Sequence, residues 1–200
     1  MIKKMLTYSI DLLKRLCYSL IRVGKYMGWI NMKSKYSALE IATWFIYKTN
    51  AEKKENQSSN DQYEVYEGLT HLKLQKLLYY AQGISLAKTG NELFNDSIEA
   101  WEHGPVVKKV YNVFTSKGRN EITIEDSPCD VEIIRKIELD SNARNILNLT
   151  YDNFAIYTAW QLRNMTHQSG TPWRKTYMPS TNKKIPNELI KEYFIKEILE

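Results

Sequence analysis

Three histidines, His71, His103 and His167, are the side chains of this chain best suited to bind a metal or to transfer protons near neutral pH. None has a second histidine four residues away, and the chain contains no zinc-protease or zinc-deaminase motif. Residues distant in sequence can converge in a fold, so a histidine-dependent hydrolase or nuclease is one alternative. His71 and His167 lie at the ends of predicted helices, where we expect them to make capping or local hydrogen bonds. The sequence therefore predicts no metal and no cofactor.

Two carboxylates, Glu99 and Glu102, flank Trp101 in a short segment of loosely alternating residues. Successive side chains of a strand point to opposite faces, so Glu99 shares a face with Trp101 and Glu102 does not. The two carboxylates are therefore poorly placed to act as an acid–base pair. The chain also lacks a phosphate-binding glycine loop and a serine-nucleophile motif. We predict that it is not an enzyme.

Two predicted turns combine aromatic, polar and basic side chains, and they are the sequence's best candidates for partner binding. The first spans residues 103–105 and the second runs from residue 167 to residue 174. A tryptophan next to an arginine could stack on a base or meet an acidic partner, although such a tryptophan more often closes a helical core. Binding residues concentrate in loops. The candidate partner-binding residues are His103, Gly104, Pro105, His167, Trp173 and Arg174.

The net charge of +5 belongs to the first 31 residues. They hold six of the 28 basic residues and one of the 23 acidic residues, which leaves 22 of each sign in residues 32–200. Residues 32–200 therefore have no net charge and no overall cationic field that would attract nucleic acid. No separate helix-turn-helix is recognisable either, so we expect no direct nucleic-acid binding. Cys17 and Cys129 are the only cysteines, which favours a reduced, cytoplasmic chain.

Residues 1–31 form a basic segment whose apolar residues recur at helical spacing. Asp11, Lys14 and Arg15 interrupt any apolar run long enough to span a bilayer. Such an amphipathic helix could lie on an anionic membrane, which is a second alternative. We expect instead that it packs on the domain or precedes a native start at Met32. The chain then consists of an N-terminal extension, residues 1–31, and one domain, residues 32–200.

The most regular apolar pattern follows Thr70 and predicts a helix that is apolar on two opposite sides. A helix of this kind is buried between others, so we expect it at the centre of the fold. Lys73 and Lys76 are expected on a solvated face, and Gly83 is expected to allow a close approach. The two apolar sets are Leu74, Leu77, Leu78, Ala81 and Ile84 on one side, and Leu72, Tyr79 and Leu86 on the other.

The remaining segments predict further helices and little strand. A capping box from Ser37 to Glu40 begins a buried helix, and the polar residues 50–69 are predicted to form a flexible loop. Residues 97–101 fit a short strand, and Pro105 suits the first position of the next helix. Residues 121–139 fit either a hairpin or, in their second half, a helix. The predicted fold class is mainly α, a compact multi-helix bundle around a central buried helix with one or two short strands or a small hairpin.

Three segments together resemble one known family. LKLQKLLYYAQG, residues 72–83, is similar to its leucine–glutamine–lysine–leucine run before two aromatic residues. EAWEHGPVVKKVY, residues 99–111, resembles its alanine–tryptophan and glycine–proline–valine segment. LRNMTHQSGTPWRK, residues 162–175, resembles its helix that ends in threonine–histidine before a proline–tryptophan. The family is the Panacea (SocA-like) antitoxin domain of bacterial and phage toxin–antitoxin systems, and the likeness covers residues 36–180.

The resemblance implies an antitoxin of a type II system that neutralises a cognate toxin protein by direct binding, with the toxin usually encoded by the adjacent gene. Members of the family are paired with very different toxins, so the identity of the toxin does not transfer. A related member delivers its toxin to a AAA+ protease, which makes a proteolytic adaptor the alternative within binding functions. The predicted loop at 50–69 and the extension at 1–31 depart from the family pattern.

Overall fold

The computed structural model of the chain describes residues 36–58, 68–130 and 132–199. The predicted N-terminal extension, residues 1–31, lies outside the described residues, as does Met32. The elements in chain order are α1 (Ala38–Ser58), α2 (His71–Thr89), β1 (Glu99–Trp101), β2 (Gly104–Val106), α3 (Lys108–Phe114), α4 (Glu132–Leu139), α5 (Ser141–Phe154), α6 (Ala159–Thr166), α7 (Pro172–Thr176) and α8 (Asn187–Phe194), with 3-10 turns at Thr115–Lys117 and Ile124–Asp126 and a π-helical end at Ile195–Leu199.

The helix α1 begins at the predicted capping box and is longer than expected. The Ser37 backbone N–H donates to Glu40 Oε2 at 2.7 Å, and the Glu40 N–H donates back to Ser37 Oγ at 3.3 Å. The helix continues to Ser58, so the loop expected from residue 50 is wrong for residues 50–58. This stretch contains two glutamates and two lysines, residue types that favour helix. Residues 59–67 lie outside the described residues.

The helix α2 is the centre of the fold, as the two apolar sets predict. It packs against α8, α5, α6, α1, α3 and the strand β2, and nearly all of its residues are buried. The expected close approach at Gly83 is confirmed, because a Cβ there would overlap the ring of Phe194. The expectation that Lys73 and Lys76 face solvent is wrong, since both are buried. A helix covered on every side leaves no solvated face.

Two glutamines of α2, seven residues apart, hold neighbouring loops through both ends of their carboxamides. Gln75 Oε1 accepts the N–H of Val107 at 2.7 Å. Gln82 Oε1 accepts the N–H of Leu93 at 3.0 Å, while Gln82 Nε2 donates to the carbonyl of Phe94 at 3.0 Å. Buried backbone groups outside regular structure need such partners. The glutamines therefore fix the two segments that lead into and out of the β-hairpin.

The predicted short strand is confirmed, and it forms an antiparallel pair with a strand that contains Pro105. In this register Ala100 lies opposite Pro105, and Trp101 lies opposite Gly104. The expectation that Pro105 begins a helix is wrong, because α3 starts at Lys108 with Val107 as its N-cap. Proline is tolerated here because β2 lies at the edge of a two-stranded sheet, where its missing N–H leaves no broken ladder.

The rest of the chain is helical. The hairpin alternative for residues 121–139 is wrong, since the segment forms a 3-10 turn and then α4, whose Ile134 and Ile137 are buried. The predicted caps Asp140 and Thr158 begin α5 and α6. The mainly α fold around a central buried helix, with one small hairpin, is confirmed. Within the described ranges no helix is long and apolar enough to cross a membrane.

Candidate functional site

The two candidate turns lie side by side although about 70 residues separate them in sequence. Trp173 Nε1 donates to the backbone carbonyl of Trp101 at 2.8 Å. His167 Nε2 lies 3.1 Å from the carbonyl oxygen of the next residue, Glu102. We call residues 101–106 and 167–174 together the paired turns. In this contact the hairpin contributes backbone carbonyl groups, and the second turn contributes the aromatic rings of Trp173 and His167. The contact therefore depends little on the side chains of Trp101 and Glu102.

Helix caps hold the second turn in place. His167 is the C-cap of α6, and its Nδ1 lies 2.7 Å from the carbonyl oxygen of Arg163, one turn back. Thr171 is the N-cap of α7, where its hydroxyl accepts the N–H of Arg174 at 3.2 Å and donates to the carbonyl of Thr166 at 2.7 Å. Pro172 takes the first position of α7, which suits its missing N–H. The local hydrogen bonds predicted for His167 are confirmed.

Trp173 supports the paired turns from the inside. Its side chain is 3% exposed, and its ring lies between His167, with ring centroids 3.6 Å apart, and Tyr177, with centroids 4.7 Å apart. A ring in this position cannot be presented to a partner without opening the core. Its structural contribution is to hold one turn against the other.

Lys76 is the residue at this site that the sequence interpretation missed. Its ammonium is fully buried and donates to the carbonyl of Pro105 at 3.0 Å. Burial lowers the pKa of Lys76 to about 7, and the positive charge of Arg163 adds to the effect. The sequence did contain a signal for the burial of Lys76. This lysine lies in a helix that is apolar on two opposite sides, and such a helix has no solvated face.

Gly104 is required above Lys76 for two reasons. Its φ is +104°, which L side chains rarely adopt. A Cβ at this position would also lie 2.7 Å from Lys76 Nζ and 3.0 Å from Thr166 Oγ1. The glycine therefore lets the hairpin close directly on the ammonium and on the end of α6.

The outer surface of the paired turns consists of polar and charged side chains. Glu102 and His103, at the tip of the hairpin, are exposed, and so is Arg174 on α7. Gly104 and Pro105 are buried beneath them, and His167 is half-buried between the two turns. Of the six candidate residues, then, His103 and Arg174 face solvent, and the other four shape the surface that carries them.

The charge state of His167 is coupled to the contact between the turns. Both ring nitrogens of His167 lie beside carbonyl oxygens, which accept hydrogen bonds but cannot donate them. A neutral ring therefore donates to one of these carbonyls, and an imidazolium donates to both. Burial lowers the pKa of His167, the two carbonyl contacts act in the opposite direction, and the charges of Arg163 and Lys76 lower it further. The net direction is downward, which favours the neutral ring at neutral pH.

The three histidines do not form a common centre. In the portion of the chain that the structure describes, no three or more histidine, cysteine, aspartate or glutamate side chains gather as metal ligands would. His71 packs instead on Tyr111, with ring centroids 4.8 Å apart, and Tyr111 packs on Trp101 at 4.7 Å. Burial lowers the pKa of His71 to about 4, with Lys76 adding to it.

The comparisons with known proteins identify the family of this mainly α, hairpin-bearing domain. The family model described as antitoxin SocA-like, Panacea domain, matches residues 74–174, a range that begins within α2 and contains the hairpin and both candidate turns. The chain belongs to this family.

A curated protein named Antitoxin SocA, from Caulobacter vibrioides (strain NA1000 / CB15N), is 33% identical over 109 residues. The matched part covers 52% of this chain and 58% of that protein. No solved structure matches the chain.

Proposed function

We propose that this protein is the antitoxin of a type II toxin–antitoxin system and that it neutralises a cognate toxin protein by direct binding at the paired turns. Membership of the SocA-like antitoxin family and the similarity to Antitoxin SocA support the antitoxin role. The observation that carries the choice of surface is the hydrogen bond from Trp173 to the carbonyl of Trp101, which joins two distant family motifs into one surface.

The chemistry of the site favours binding over catalysis. The polar groups that lie within or beneath the paired turns contact backbone carbonyls. Lys76 of α2 contacts Pro105, Trp173 contacts Trp101, and His167 contacts Glu102. Groups committed in this way fix the backbone but do not meet a substrate. The exposed side chains at the rim, His103 and Arg174 among them, sit on a rigid frame, as in surfaces that bind a preformed partner.

Growth rescue tests the antitoxin role. The product of the neighbouring gene is expressed alone and together with this chain, and we expect it to stop growth alone and to be harmless when the chain is present. The toxin should copurify with the chain and remain at its normal level in the cell. If growth is rescued only while a AAA+ protease removes the toxin, the chain acts as a proteolytic adaptor and not as a blocking antitoxin.

Variants of the rim test the surface. His103→Ala combined with Arg174→Ala should weaken rescue and leave the thermal melt unchanged, since both side chains are exposed. Arg135→Ala, an exposed arginine on α4, is the matched control and should rescue fully. Full rescue by the double variant would exclude the rim as part of the toxin interface.

A further inference from the structure

One face of α6 runs from the exposed Trp160 through the half-buried Arg163 to the half-buried His167 of the paired turns. Trp160 is 58% exposed, and Arg163 and His167 follow it at the helical spacing that places side chains on one face. The Arg163 guanidinium lies over the Trp160 ring, 4.8 Å from the ring centroid. The helix packs on the core through its other face, whose buried residues are Ala159, Leu162 and Thr166. The indole of Trp160 is therefore not part of the core.

Arg163 lies near two other basic side chains. His167 Nδ1 is 2.7 Å from the carbonyl oxygen of Arg163, and the charge of Arg163 lowers the pKa of Lys76 and of His167. Nη1 of Arg163 donates to Asn164 Oδ1 at 3.1 Å, but Nε is buried and has no hydrogen-bond partner. Among the described residues no aspartate or glutamate forms an ion pair with Arg163 or Lys76.

An unpartnered donor of this kind is unfavourable. A buried hydrogen-bonding group without a partner costs more when the group is charged than when it is neutral. The Nη1 side of the Arg163 guanidinium is exposed, so a carboxylate brought from outside can reach it there and supply the acidic partner that the described residues do not provide. The planar guanidinium suits two parallel hydrogen bonds to a carboxylate.

We propose that the outward face of α6 binds an acidic segment of the toxin, which places an aspartate or glutamate carboxylate against Arg163 and an apolar side chain against Trp160. Tryptophan and arginine are the residues most enriched among those that dominate interface energies. The inference rests on the proposed function and deepens it, because it names the chemistry of the toxin surface and extends the interface from the paired turns along α6.

A protein carboxylate fits this cluster better than a nucleic-acid phosphate backbone. Nucleic-acid binding draws on a broad cationic surface, because each neutralised phosphate releases counterions. Residues 32–200 carry 22 basic and 22 acidic side chains, so that field is absent. One half-buried arginine beside one exposed tryptophan instead matches a single acidic side chain with an apolar neighbour.

Affinity measurements on single variants test the inference. The probe is the purified toxin identified by growth rescue, and its Kd for the full chain is measured by biolayer interferometry. Trp160→Ala and Arg163→Gln should each raise the Kd at least tenfold. Two controls on α4, Leu139→Ala and Arg135→Gln, remove an exposed apolar and an exposed basic side chain and should leave the Kd unchanged. All four variants should keep the melting temperature of the parent chain to within a few degrees.

Charge reversal tests the acidic partner directly. Arg163→Glu should abolish binding, and replacing one acidic residue of the toxin with arginine should restore it. If the parent chain binds the toxin and both Trp160→Ala and Arg163→Gln bind equally well, the inference is overturned while the proposed function stands. If the parent chain binds no toxin, both are overturned. Binding of a single-stranded oligonucleotide that Arg163→Gln abolishes would overturn the inference in favour of nucleic acid.

Discussion

The indole N–H of Trp173 donates to the backbone carbonyl of Trp101 at 2.8 Å, across 72 residues of sequence. This one bond joins the hairpin to the turn between α6 and α7. The proposed toxin surface rests on this arrangement.

Trp173→Phe should separate the hydrogen bond from the packing of the ring. Phenylalanine keeps an aromatic ring between His167 and Tyr177 but loses the donor to Trp101, so the free energy of unfolding should fall by about 1–2 kcal/mol. Trp173→Ala removes both and should cost about 3–5 kcal/mol. Urea denaturation measures both values. Trp160→Phe, at an exposed tryptophan, is the control and should change stability by less than about 0.5 kcal/mol. No loss of stability in Trp173→Phe would show that the hydrogen bond contributes nothing, and equal losses for the two Trp173 variants would show that the packing of the ring contributes nothing beyond the bond.

Gly104→Ala should destabilise the fold through both strain and collision. The positive φ alone costs about 1–2 kcal/mol for an alanine, and the new Cβ meets Lys76 Nζ and Thr166 Oγ1 as well. Gly170→Ala separates the two effects, because Gly170 has a φ of +85° with open space around it. Chemical denaturation should therefore show a clearly larger loss at Gly104. A loss at Gly104 no larger than that at Gly170 would mean that the hairpin moves freely away from Lys76.

Lys76 should make stability depend on pH above neutrality. Burial lowers the pKa of Lys76 from 10.5 to about 7 in the folded chain, so between these values the unfolded chain binds the extra proton. The free energy of unfolding should then rise with pH from about 7 towards 10.5, by at most about 1.4 kcal/mol per pH unit. Below pH 7 both states carry the charge, so Lys76 no longer makes the free energy of unfolding depend on pH.

Lys76→Met tests this dependence because methionine keeps most of the volume without the charge. The difference in stability between the parent chain and the variant should change between pH 7 and pH 9, with the parent gaining. Urea denaturation at four or five pH values measures it. A difference that stays constant over this range would show that the buried ammonium does not titrate there.

Several features of the fold follow from the sequence because they are local. Caps at Asp140 and Thr158, the strand at residues 99–101 and the central helix each depend on residues within a few positions of one another. The helical stretch at residues 50–58 is harder to predict, because the same polar residue types occur both in exposed helices and in flexible loops.

The candidate site depends on contacts that no local pattern contains. The residues around Pro105 predict that it begins a helix, but pairing with Ala100 places it in a strand. Lys76 fits a solvated face until every side of α2 is covered. The buried indole of Trp173 and the exposed indole of Trp160 differ only in the tertiary packing around them. The sequence predicted two turns as candidates for partner binding, and the structure separates the residues that build their surface from those that it exposes.

Gln82 gives a test of the central helix that does not involve the paired turns. Its carboxamide accepts from Leu93 and donates to Phe94, and all of these groups are buried. Gln82→Met should leave three backbone groups unsatisfied, the N–H groups of Leu93 and Phe94 and the carbonyl of Phe94, and lower the free energy of unfolding by about 2–4 kcal/mol. Gln161→Met, at an exposed glutamine of α6, should cost about 1 kcal/mol or less because it affects only a helix cap. Similar losses at the two positions, seen by urea denaturation, would contradict this role for Gln82.

The most direct test of the proposed function is hydrogen–deuterium exchange of the full chain with and without the toxin identified by growth rescue. We predict that toxin binding slows exchange in peptides that cover residues 101–107 and 159–175 and leaves α4, Glu132–Leu139, unchanged. Protection confined to α4 or to other segments, with both paired turns exchanging as in the free chain, would contradict the proposed toxin surface.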